Sequence, residues 1–103
     1  MDKEVVIERI KKFADLVKQN FPVRKVILFG SYSRGTQRAD SDIDVAVVLT
    51  KMDEDLLSSK TKLFQLRREC DIRIEPVLLE EENDPGGFLD EILATGEIIY
   101  SAD

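Results

Sequence analysis

The chain has 103 residues, 43% of them hydrophobic, with one cysteine, no histidine and a formal net charge of −6. That length suits one compact domain, residues 1–103, and that apolar content argues against disorder. Without histidine, Ser-His-Asp and Cys-His hydrolases, histidine-ligated zinc and histidine-driven ribonuclease chemistry are excluded, so metal or proton chemistry falls to carboxylates.

The acidic balance repels polyanions, which argues against extended nucleic-acid binding but leaves room for a local site holding one metal-bound nucleotide. No apolar run approaches the roughly 20 residues that cross a bilayer. The charged start Met1-Asp2-Lys3-Glu4 is unlike a secretory signal. A lone Cys70 cannot close an internal disulfide and reads as a packing residue. A cytoplasmic protein with no membrane contact is expected.

From the N-terminus, Val5, Val6, Ile7, Ile10, Phe13, Ala14, Leu16, Val17 and Phe21 recur at helical spacing. They predict an amphipathic helix over about residues 3–20, ended by Pro22. Val23 to Phe29 reads as a buried strand, broken abruptly by Gly30-Ser31. A polar stretch to Asp40 follows, with Gly35 permitting a turn. Ile43 to Leu49 is a second strand, apolar enough to lie centrally in a sheet covered on both faces.

Asp53-Glu54-Asp55 opens a second main helix that carries Arg67-Arg68 near its end, a polarity that complements the helix dipole. Leu56, Leu57, Leu63, Phe64 and Leu66 form its apolar face. A third strand is expected from about Asp71 to Leu79, with Pro76 suggesting an edge or a bulge. The acidic, turn-rich Glu80 to Gly87 leads to a short helix at Phe88, Leu89, Ile92 and Leu93, capped by Gly96. Ile98-Ile99-Tyr100 adds a short last strand. The alternation predicts an α/β fold, one small mixed sheet packed with helices.

Asp42 and Asp44 stand two residues apart at the start of the second strand, so both carboxylates project from one face. Two anions that close repel, and a divalent cation or nearby Arg and Lys partners would relieve the conflict. A strand ending in Gly30-Ser31 offers backbone N–H groups and a hydroxyl where a helix can begin, which is an anion cradle. Together they describe a phosphate holder facing a metal holder, the core need of phosphoryl-type transfer.

The run Gly30 to Val48, with Gly30-Ser31, then Tyr32 to Ser41, then Asp42-Ile43-Asp44, resembles the signature of the DNA polymerase beta-like nucleotidyltransferases. The short chain is similar to the minimal nucleotidyltransferase branch of that superfamily. The resemblance implies transfer of a nucleoside monophosphate, AMP from ATP foremost, to an acceptor hydroxyl with release of pyrophosphate. Asp42 and Asp44 would hold two Mg²⁺ ions, and Gly30 and Ser31 would contact the triphosphate. Arg34 and Arg38 are candidates for phosphate contacts, or equally for solvent-exposed loop arginines or salt-bridge partners.

The resemblance also implies a third carboxylate from a neighbouring strand, for which the sequence offers Asp71 and Glu75. They share a strand face but lie about 13 Å apart at ~3.3 Å per residue, so at most one joins the metals. Glu75 is preferred because its distance from the closing Leu79-Glu80-Glu81 loop and last helix resembles where the family's third acid falls. The other reading pairs both acids with Arg73 as ordinary surface charges.

Acidic charge and the missing acceptor-gripping domains argue against a polymerase role. Minimal members of the branch often work beside a small helical HEPN protein as its antitoxin, and the resemblance implies transfer of AMP from ATP onto that toxin. That implies a protein hydroxyl as acceptor and a HEPN-domain partner, in a type VII-like arrangement. Two other readings are a module that binds nucleotide or neutralises its partner by contact alone, and a subunit that nucleotidylates a small molecule. A homo-oligomer is left open.

Overall fold

The computed structural model describes residues 3–35, 41–51 and 56–102. Helix α1 spans Lys3–Asn20 and buries Val6, Ile10, Phe13, Ala14 and Val17 along one stripe, while Val5 faces outward. Strand β1 is Val23–Phe29, the one-turn helix α2 is Ser31–Arg34, and strand β2 is Ile43–Leu49. Helix α3 follows at Leu56–Arg67 and strand β3 at Ile74–Glu80. A 3-10 turn at Pro85–Gly87 runs into helix α4, Phe88–Thr95, and strand β4 is Glu97–Ser101. The predicted acidic opening of the second helix, Asp53-Glu54-Asp55, lies outside the described residues, as do the side chains of Leu56 and Leu57.

The four strands form one mixed sheet in the order β3-β2-β1-β4. β1 pairs antiparallel with both β2 and β4, and β2 pairs parallel with β3. Every residue of β2 but Asp44 is buried, as expected of a central strand covered on both faces. On one face Val26, Leu28, Val45 and Val47 pack with Val6, Ile10, Phe13 and Leu63 of α1 and α3. On the other, Ile27, Ala46 and Val48 pack under Leu89 and Ile92 of α4. None of the described helices is long and apolar enough to cross a membrane.

Pro76 sits on the edge strand β3, where a missing N–H breaks no ladder bond. The start of this strand corrects the sequence expectation. β3 begins at Ile74, and Asp71 lies before it in a turn. The Asp71 carboxylate accepts the Arg73 backbone N–H at 2.9 Å, and its carbonyl accepts the Ile74 N–H at 3.0 Å. Such local bonding by an aspartate displaces regular strand pairing. Asp71 and Glu75 therefore do not share one strand.

α4 is placed from both ends. The Asp84 carboxylate accepts the N–H groups of Leu89 and Asp90 at 2.9 and 3.2 Å, occupying donors that a helix start leaves open. Phe88 meets Phe29 of β1 edge to face, with centroids 6.0 Å apart. Gly96 closes the helix as expected, its N–H bonding the Ile92 carbonyl at 2.7 Å, but in an extended conformation. Close approach explains the glycine: a Cβ there would lie 2.7–2.9 Å from the Ile92 oxygen, Ile27 Cγ2 and the Leu28 oxygen.

Candidate active site

The site lies where β1 ends, β2 begins and β3 begins. Gly30 has φ 74 and ψ −147, backbone space that is essentially open to glycine alone. It turns the chain from β1 directly into α2. A Cβ at Gly30 would overlap the Asp44 carboxylate and stand 3.0 Å from its Cγ. The Gly30-Ser31 turn and the acid strand are thus in contact, and only a residue without a side chain fits between them.

Asp44 is half-buried and Asp42 exposed, on either side of the fully buried Ile43. The Ile43 N–H donates to the Arg73 carbonyl at 2.9 Å, which ties the acid pair to the entry of β3. Asp44 stands opposite Glu75 in the parallel register of β2 and β3, and opposite Phe29 in the antiparallel register of β1 and β2. Laterally paired residues share a sheet face, so Asp44 and Glu75 project on the side that carries α4.

The two candidates for the third acid have separate surroundings. The Asp71 side chain is 4% exposed and receives Arg9 Nη1 at 2.7 Å and Arg73 Nη2 at 2.9 Å. Hydrogen bonding from the Arg73 side chain, and then from its backbone and Arg9, holds the Asp71 carboxyl well below the usual carboxylate range against the opposing effect of burial. The Arg73 guanidinium is pushed up in turn, chiefly by Asp71. Asp71 is a buried ion-pair anchor between α1 and the entry of β3. Glu75 is about half exposed, and its Oε2 is 3.6 Å from Arg67 Nη1.

Sequence patterning missed three contributors. Tyr32, one residue after Ser31, is fully buried in the main core and roots α2 there. Its hydroxyl has no partner in strict hydrogen-bonding geometry among the described residues, although it lies near enough to Arg73 to help hold that group charged. Ser33 Oγ donates to the Thr95 carbonyl at 2.8 Å, binding α2 to the end of α4. Arg67 is the third, whereas Arg73, foreseen as a partner of both acids, is found on Asp71. An aromatic residue inside an otherwise polar loop was the available signal for Tyr32; the other contacts join residues far apart in the chain or on different elements.

Arg34 lies in α2, but its side chain is outside the described set, as is the whole of Arg38. Cys70 is packed against the core, and burial raises its thiol pKa, which suits packing rather than nucleophilic chemistry.

The donors on offer are carboxylate oxygens, which suit a hard divalent cation such as Mg²⁺. Asp44 and Glu75 share a face on neighbouring strands, and the glycine turn packs directly against the Asp44 carboxylate. The kinds of donor, and the shared face of Asp44 and Glu75, fit such an ion. Among the described residues no three acidic or cysteine side chains yet converge closely enough to enclose one.

A mixed sheet whose Gly-Ser turn abuts an Asp-x-Asp strand is the layout of a nucleotidyltransferase core. The sequence model of the polymerase beta nucleotidyltransferase family matches residues 11–103, and the chain belongs to that family. A Methanocaldococcus jannaschii protein, provisionally named a protein adenylyltransferase, is 30% identical over 93 residues, covering 86% of this chain and 89% of its own. A solved structure provisionally assigned as a nucleotidyltransferase from Sulfolobus solfataricus superposes with TM-score 0.72 at 21% identity, covering 97% of this chain and 84% of that one. A mutant of the toxin–antitoxin complex MntA–HpeT superposes with TM-score 0.66 at 27% identity, covering 91% of this chain and 73% of that one.

Proposed function

We propose that residues 1–103 act as one minimal, Mg²⁺-dependent nucleotidyltransferase domain in the cytoplasm, moving AMP from ATP to a hydroxyl on a partner protein. The contact between Gly30 and Asp44 is the observation that carries this reading, because it brings a phosphate cradle against a carboxylate. In this reading the backbone at Gly30 and Ser31, with the Ser31 hydroxyl, holds the triphosphate, and Arg34 adds a charge-assisted contact. Asp42, Asp44 and Glu75 present oxygen ligands to two Mg²⁺ ions. Bound metal supplies a lower pKa for the attacking hydroxyl and neutralises charge on departing pyrophosphate. The fixed strand register orients Asp44 and Glu75, and the bond from Ile43 to Arg73 holds the acid pair against β3.

A HEPN toxin is the proposed acceptor. Support comes from the M. jannaschii relative named as an adenylyltransferase and from the structural likeness to a toxin–antitoxin complex. The test is incubation with ATP, Mg²⁺ and the protein of the neighbouring reading frame, followed by mass spectrometry. An AMP adduct on that protein, absent with Asp44→Ala, is expected. Neutralisation of the toxin without any adduct, unaffected by replacing both Asp42 and Asp44, would establish contact-only inhibition instead. Adducts confined to a small molecule would point to a different acceptor class.

A further inference from the structure

Arg67 ends α3 on one face of the sheet but reaches round the outer edge of β3. Its Nη1 donates to the outward carbonyl of Ile74 at 2.9 Å and lies 3.6 Å from Glu75 Oε2. Its guanidinium also stacks over the Phe64 ring at 4.4 Å. A carbonyl on one side and a ring on the other restrict where the charge can go, so it stays beside the Glu75 carboxylate. The contact itself is longer than a good hydrogen bond and is therefore readily exchanged.

We propose that Arg67 is a built-in counterion for the third carboxylate, holding Glu75 at the site in the absence of metal and yielding it when a divalent cation arrives. The inference rests on Glu75 being a metal ligand. One observation supports it: Glu75 stands level with Asp44 across the parallel strand pair, on the same face of the sheet. Cation binding then exchanges one positive partner for another at Glu75. The resident Arg67 charge sets how strongly the site competes for metal. Arg67 acts through Glu75 and is a positioning residue.

The test is Mn²⁺ binding by the full chain, read from the loss of the free-ion electron paramagnetic resonance signal, with no nucleotide present. Arg67→Gln, which keeps a donor for Ile74 but no charge, is expected to tighten Mn²⁺ binding about three- to tenfold. Arg67→Lys, which keeps the charge, is expected to stay within about twofold of the parent. In a Glu75→Gln background the effect of Arg67→Gln should vanish. If Arg67→Gln does not fold, as judged by circular dichroism, Arg67→Met retains the stem against Phe64 and carries the same expectations. Weaker binding in Glu75→Gln with no gain from uncharging Arg67 would overturn the counterion role and leave Glu75 a ligand. Unchanged binding in Glu75→Gln would overturn the ligand assignment itself, and the counterion role with it.

Discussion

Asp44 of β2 and Glu75 of β3 are lateral partners in a parallel strand pair. Neighbouring strands run about 4.8 Å apart, so side chains at paired positions can share one small ligand without any change of backbone. Asp71, the rival for the third acid, is committed to Arg9 and Arg73.

Replacing these two acids should therefore give opposite signatures. Asp71→Asn should destabilise the fold by about 1–2 kcal/mol, because it takes from the partly exposed Arg9 and Arg73 guanidinium groups the buried carboxylate they converge on. Glu75→Gln, at a half-exposed carboxylate, should leave the melting temperature nearly unchanged while reducing nucleotidyl transfer by about 100-fold or more. Thermal melts and transfer assays on the same preparations decide it. A catalytic loss in Asp71→Asn that survives under conditions where the variant is fully folded would contradict the assignment.

Asp44→Asn should separate activity from stability in another way. The substitution keeps the side chain's size and leaves the strand intact, so the protein should stay folded, within about 1 kcal/mol of the parent. Transfer should fall about 1,000-fold. Calorimetry beside a single-turnover assay is the check, and a folded, fully active variant would remove the acid from the reaction.

Gly30→Ala places a methyl group in the Asp44 carboxylate at a φ of 74. Strain of about 1–3 kcal/mol is expected from the backbone alone. Activity should drop further than stability, since the collision displaces the acid. Gly35→Ala is the control. It shares a positive φ of 74, but a Cβ there meets nothing within 4 Å. It should cost about 1 kcal/mol and leave the acid in place.

Acid sensitivity follows from Asp71. Its carboxyl pKa in the folded state is depressed, first by the Arg73 side-chain bonds, below an unfolded value of about 3.9. The stability it contributes is complete above that unfolded value and is lost as pH falls toward the lower folded one. Urea midpoints between pH 6 and pH 2.5 should therefore fall with acidification in the parent below about pH 4. They should fall less in Asp71→Asn. Parallel curves would mean that the ion cluster contributes nothing to folding.

Much of this was legible in the sequence. Helix α1 with its stop at Pro22, and strands β1 and β2, were readable because their apolar residues follow one period and are closed by Pro22 or Gly30. Gly30-Ser31 and Asp42-Ile43-Asp44 were readable because spacing and residue chemistry coincide. The start of β3 was not, because Asp71 resembles a strand residue until its bonds to Arg73 are known. Strand order was also hidden, since pairing is set by which faces α1, α3 and α4 cover. Arg9 with Asp71, Ser33 with Thr95 and Arg67 with Glu75 meet only after the chain has folded.

The central claim is adenylyl transfer dependent on the Asp42 and Asp44 pair, and the position of a radiolabel in ATP tests it most directly. With Mg²⁺ and the neighbouring-frame protein, label at the α-phosphate should become covalently attached to that protein. Label at the γ-phosphate should leave with pyrophosphate, and Asp42→Asn with Asp44→Asn should abolish attachment. Covalent γ-label, or α-label transfer that persists in the double variant, would contradict the account.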